Sequence, residues 1–269
     1  APEGCLIVDA DSAQIEARVL AWLAGQTDLV DAFAAEQDVY KIMAATIYDK
    51  PAAEISKSER FVGKSVVLGS GYGMGANKFK AQLWGFGVEI ELDEAQRIIS
   101  AYRSEYSDIP ALWKDGQDCL CAIVDGNTRT LGVQPQVTYL DKSAIDGDVV
   151  FRLPNKMMLG YPVLERTKDF EYSYLAKNNV RTKIYGGKVI ENICQAIARC
   201  IISGQMLKIA EKYKVALTVH DSIVCVIKET QREEARSYIE TVMKTPPEWA
   251  TGLPLNCDIG IGQSYGECQ

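Results

Sequence analysis

Two aspartates have the most chemistry to offer. The first, Asp11, lies in the stretch Leu6-Ile7-Val8-Asp9-Ala10-Asp11-Ser12-Ala13-Gln14-Ile15-Glu16-Ala17-Arg18. Leu6, Val8 and Ala10 alternate with Ile7 and Asp9, which is the period of a strand. Ile15, Val19, Leu20 and Leu23 then recur at helical spacing, with Ser12 placed as a cap and Gly25 as a stop. Asp11 therefore falls where a strand hands over to a helix. A carboxylate there can leave the core and meet a metal ion, or simply cap the helix. The second, Asp221, sits in Val215-Ala216-Leu217-Thr218-Val219-His220-Asp221-Ser222-Ile223-Val224-Cys225-Val226-Ile227. Two apolar runs around a polar triplet predict a hairpin, whose tip alone is often only a turn. Two acids at the ends of adjacent strands can instead hold two divalent cations about 3.5–4 Å apart for in-line phosphoryl chemistry.

The elements that would serve such a pair lie between the two acids. Ser56-Lys57-Ser58-Glu59 has the form of a capping box and announces a helix from Glu59 to Tyr72. At 100° per residue Arg60, Lys64, Leu68, Gly71 and Tyr72 share one face, with Val62 and Val66 opposite. Two cations one turn apart and a ring near a glycine-rich end suit a triphosphate and its base. An ordinary solvated face has the same pattern. Gly63-Lys64-Ser65 imitates the end of a phosphate loop, but Ser58 stands where that loop needs glycine and no strand precedes it. A further helix is predicted from Val189 to Tyr213, with Ile190, Ile193, Ile197 and Ile201 as its buried stripe. Lys188, Asn192, Gln195 and Arg199 fall on another face, where amides and cations in a row can meet base edges and phosphates or merely water.

Elsewhere the pattern is helical from Gly25 to Tyr48, with Asp31, Glu36 and Asp38 on its solvent side, and again from Asn77 to Val124, with Pro110 as a break. From Gly126 to Tyr185 it turns β-rich, with a hairpin of Val149–Leu153 against Met157–Tyr161 and a basic end carrying Lys168, Lys177, Arg181, Lys183 and Lys188. The net charge of −7 over 269 residues argues weakly against nucleic acid as a partner, although a basic face can sit on an acidic body. Eight cysteines without a CxxC pair, and a single histidine, make a zinc site improbable. They read as reduced core thiols of an intracellular protein. No uninterrupted apolar run reaches the length of a membrane span. There is no initiator Met, and a strand begins within a few residues of Ala1, so the chain is expected to be a fragment or a processed product.

In this order the stretches resemble the family A (DNA polymerase I-like) DNA polymerases, of bacteriophage type. That family's first palm motif, D-x-S-Q-I-E-x-R, corresponds to Asp11–Arg18; its fingers motif, R-x3-K-x7-Y-G, to Arg60, Lys64, Tyr72 and Gly73; its second palm motif, H-D-E, to His220-Asp221-Ser222. The resemblance implies an α+β fold. A palm, an antiparallel sheet with helices, would be split into 1–25 and 186–269. A mainly helical fingers domain with a β-rich segment would be inserted over 26–185. It implies that Asp11 and Asp221, helped by the Ser12 carbonyl, bind two Mg2+ ions. Arg60 and Lys64 would hold the incoming deoxynucleoside triphosphate, with Lys64 protonating the leaving pyrophosphate. Tyr72 and Glu16 would shape the sugar pocket, and Glu16 would crowd out a 2′-hydroxyl. Lys188, Asn192, Gln195, Arg199 and His220 would contact primer–template DNA. A thumb- or exonuclease-bearing segment or chain would precede Ala1, no membrane would be involved, and a phage-encoded protein would work in the host cytoplasm.

Two departures from the pattern matter: Ser222 replaces the usual Glu, and Leu68 the usual Phe or Tyr against the sugar. Two other readings stay open. His-Asp-Ser is the form found in single-subunit RNA polymerases, against which the Gln14–Arg18 run speaks. Alternatively the chain is a non-catalytic primer–template-binding fragment, or half of a split polymerase.

Overall fold

The computed structural model describes residues 1–133, 138–141, 149–169 and 171–268. Part of the β-rich stretch expected over 126–185 thus lies outside the described residues. The elements are β1 (Cys5–Ser12), α1 (Ile15–Ala24), α2 (Thr27–Ala34), α3 (Val39–Tyr48), α4 (Lys57–Ser70), α5 (Ala76–Gly85), α6 (Leu92–Glu105) and α7 (Asp108–Val124). Seven strands follow: β2 (Thr130–Leu131), β3 (Thr138–Asp141), β4 (Val149–Arg152), β5 (Met158–Tyr161), β6 (Glu165–Arg166), β7 (Tyr172–Leu175) and β8 (Arg181–Ile184). Then come α8 (Gly186–Ala210), β9 (Lys214–Val219), β10 (Ser222–Lys228), α9 (Arg232–Lys244) and β11 (Cys257–Gly262). The chain divides into two compact units, one of Ala1–Val19 with Gln195–Gln269, the other of Leu20–Cys194.

The first unit is built on an antiparallel sheet in the order β11-β1-β10-β9. Strand period 2 gives it two chemically different faces. Leu6, Val8 and Ala10 pair across with Ile227, Cys225 and Ile223, and these six pack with Ile202, Ile209, Ala235, Ile239 and Met243 of α8 and α9 into one core. Each such side chain, fully buried, contributes roughly 1.5–3 kcal/mol relative to exposure. The opposite face carries Asp9 and Asp11 of β1, Ser222 of β10, and Asp258 and Gly260 of β11. The β9 run is apolar in sequence but forms an edge, with Ala216 and Leu217 exposed.

In the second unit the stretch 25–48 is two helices rather than one. Glu36 adopts a left-handed φ of 53°, and Asp38, expected on the solvent side, caps α3 by accepting from the Lys41 N–H. The capping box at α4 forms as the sequence predicts: Ser56 accepts from the Glu59 N–H while the Glu59 carboxylate accepts from the Ser56 N–H. Val62, Val66 and Val67 bury the inner side of α4. Gly63 lets it approach α3 closely, since a Cβ there would lie 2.2 Å from the Tyr40 carbonyl oxygen. Pro110 does not break α7 but sits in its first turn, where a missing N–H costs nothing. The hairpin of β4 and β5 forms with Arg152 opposite Met158. Its basic neighbours are largely neutralised: Arg181 pairs with Glu165, Lys183 with Glu171 and Lys188 with Glu191. Helix α8, shared by both units, is long and apolar enough by length and composition to cross a membrane, yet its isoleucines are buried within the protein.

Candidate active site

Asp11 is exposed on the polar face of the first unit's sheet, directly opposite Ser222 on β10 and Asp258 on β11. β9 and β10 are joined by the two residues His220 and Asp221, with Val219 opposite Ser222. Such a tight connection demands a positive φ, which His220 supplies at 53°. Asp221 therefore stands beside Asp11, and the Ser12 N–H donates to the Asp221 carbonyl at 3.3 Å. Ser12 itself ends β1 and does not cap α1. Its hydroxyl is buried without a hydrogen-bond partner among the described residues, and the helix starts only at Ile15, after Gln14 at φ 51°. Arg18 closes the gap by donating to the Ala13 carbonyl and to Gln14 Oε1.

Asp9, Asp11, Asp221, Ser222, His220 and Asp258 line an open pocket of about 620 Å³. Burial, then the charges of Asp221, Asp9 and Asp258, push the Asp11 carboxyl above its ordinary value. A site that disfavours its own ionised acid is one that a cation would relieve. Among the described residues no three His, Cys, Asp or Glu side chains are grouped to hold a metal. The donors present are hard oxygens, and magnesium is commonly held by one or two carboxylates, with water and substrate phosphates completing the shell.

On the second unit, Lys64 and Leu68 are exposed along α4, and among the described residues Lys64 has no ion-pair partner. Arg60 does have one: its Nε donates to Asp38 Oδ2 at 2.6 Å, and its guanidinium lies 5.3 Å from the Tyr40 ring centroid. Burial pulls the Asp38 carboxyl up, but the bonds from Arg60 and the Lys41 N–H prevail and hold it below its usual value. The helix ends at Ser70, so Tyr72 lies just beyond it and half-buried. Gly71 is packed: its carbonyl accepts from Trp113 Nε1 at 2.7 Å, and a Cβ would lie 2.7 Å from Leu20. Along α8, Lys188 donates to Glu191 and Asn192 to the Tyr161 hydroxyl, while Gln195 and Arg199 are exposed. Glu16 is exposed on α1.

The chain is similar in fold to the solved POL domain of Pol1 from M. smegmatis in complex with DNA primer-template and dNTP. The match has a TM-score of 0.67 at 20% identity and covers 99% of this chain and 41% of that one. The sequence model of DNA polymerase family A matches residues 1–124. Similar relatives include the DNA polymerase of Bacillus phage SP02, 29% identical over 98% of this chain and 41% of its own length. The thermostable DNA polymerase I of Thermus filiformis is 25% identical over 100% of this chain and 28% of its own. The chain thus spans less than half the length of either polymerase.

Three features of this chain escape a reading by motif. In sequence Asp9 is only one of the alternating strand residues, yet it is buried beside Asp11. Asp258 sits opposite Asp11 because β11 joins the sheet, a strand that the alternation of Cys257, Ile259 and Ile261 could have announced. Asp38 holds Arg60, a pairing across 22 positions that no local pattern encodes.

Proposed function

We propose that the chain supplies the palm and fingers chemistry of a template-directed DNA polymerase, extending a primer 3′ end with deoxynucleotides. The observation carrying this reading is the juxtaposition of Asp11 and Asp221 on one open polar sheet face. Asp11, Asp221 and the Ser12 carbonyl would hold two Mg2+ ions, which supply activation of the primer hydroxyl and charge stabilisation at the α-phosphate. Lys64 binds the triphosphate and passes a proton to the departing pyrophosphate. Arg60 joins it by exchanging the Asp38 carboxylate for phosphate oxygens, a like-for-like swap of charge-assisted hydrogen bonds. Glu16, Leu68 and Tyr72 set the sugar pocket; His220, Lys188, Asn192, Gln195 and Arg199 bind primer and template.

Primer extension with Mg2+ and dNTPs tests this, rNTPs in a parallel arm separating DNA from RNA synthesis. Because the chain spans at most 41% of these two relatives, weak extension by residues 1–269 alone is expected, rising when the upstream encoded segment is supplied. No extension in either arm, with or without that segment, would leave the non-catalytic primer–template-binding reading.

A further inference from the structure

Asp9 lines the pocket but has no part in the proposed chemistry. It is 7% exposed, on the same face of β1 as Asp11 and two residues before it. The C-terminal turn closes over this end of the face. Gly260, opposite Asp9, lies so near the Cys268 carbonyl that a Cβ would sit 1.7 Å from its oxygen. Asp11, by contrast, stays open to the pocket. The Asp9 carboxylate accepts a hydrogen bond from the Ser222 hydroxyl, itself 4% exposed and adjacent in sequence to Asp221.

A buried carboxylate satisfied by a neutral hydroxyl is a poor stabiliser: desolvating the charge costs more than such a bond returns. An apolar side chain of that size would pack better. What the bond does provide is a tie, on the face that carries Asp11, between the strand of Asp11 and the residue that follows Asp221. Ser222 carries no charge of its own, but the bond places that of Asp9 at the floor of the pocket. We infer that Asp9, oriented by Ser222, is a positioning residue that sets the carboxylates of Asp11 and Asp221 for a divalent cation and strengthens its binding. The inference rests on the proposed function, since it assumes that Asp11 and Asp221 bind the cation.

The test is Mn2+ affinity of the folded chain, with no DNA or nucleotide, read by electron paramagnetic resonance beside a metal-free thermal melt. Asp9→Asn is expected to weaken Mn2+ binding about tenfold, as partners behind metal ligands do. Its metal-free melt should be no lower than that of the parent. Ser222→Ala should weaken binding less, and the double variant no more than Asp9→Asn alone, because the two act through one bond. A purely structural role predicts the reverse, a lower melt with unchanged affinity, and that result overturns the inference. Asp11→Asn separates the two failures. If it abolishes Mn2+ binding while Asp9→Asn leaves it intact, only the role of Asp9 falls; if it too leaves binding intact, the site reading itself is wrong. Should Asp9→Asn not fold, Ser222→Ala carries the same comparison, and unchanged affinity there overturns the inference.

Discussion

The polar face of the β1–β10 sheet and the outer face of α4 are charged in opposite senses, and they are prepared differently. On the sheet, Asp9, Asp11, Asp221 and Asp258 gather like charge, and the Asp11 carboxyl is pushed up as a result. On α4, Arg60 already has its counter-charge in Asp38, whose carboxyl is held down. One region is waiting for charge to arrive, whereas the other must give up a partner before it can act. The acidic face should therefore gain stability from a cation, and α4 should lose a protein contact whenever Arg60 turns to a ligand.

The sharpest way to break this contrast is Asp11→Asn. Extension is expected to fall on the order of 10³-fold, and the metal-free melting temperature to rise. The sign follows from the raised carboxyl: its ionised form opposes folding, fully so above its own raised value, and that opposition disappears with the charge. An unchanged or lower melt would show that the acids do not strain one another. Next is Lys64→Ala, which removes a cation that lies 5.9 Å from the Tyr40 ring centroid and has no ion-pair partner among the described residues. Its KM for dNTP should increase about 10- to 100-fold with no change in melting, since no ion pair is lost. Asp38→Asn keeps the cap on α3 and should cost about 0.2–1 kcal/mol through the lost Arg60 ion pair, while lowering the KM for dNTP because Arg60 is released. A raised KM instead would mean that Asp38 presents Arg60 rather than competing for it. In the unaltered protein the contribution of this pair is present above the ordinary carboxylate range and fades as pH falls through the depressed value of Asp38. Smallest is Leu68→Tyr on the exposed face of α4, expected to change the ratio of dideoxy- to deoxynucleotide incorporation and leave extension rate nearly alone.

Much of this was legible because it is local. The alternation in β1, the capping box of α4 and the two-residue connection at His220 each follow from a few neighbouring residues. The motif spacing also carried the identity of the face that α4 presents, since Val62 and Val66 had to point inward. What stayed hidden depends on distance along the chain. Ser12 looks like a cap because it precedes a helix, but the sheet claims it through pairing with Cys257, 245 positions away. Asp38 reads as a solvent residue until α3 and α4 are folded side by side. The burial of Asp9 needs both Ser222 and the C-terminal turn, which no window around β1 contains.

The absence of a side chain at Gly63 has a mechanical consequence. With the Tyr40 carbonyl filling the space a Cβ would occupy, the two rods pack backbone to backbone, a contact that does not depend on Arg60 staying with Asp38. Any swing that brings α4 toward a substrate must carry α3 as a single lever. A spin label on the exposed side of α3 would then report that swing as faithfully as one placed on α4 itself.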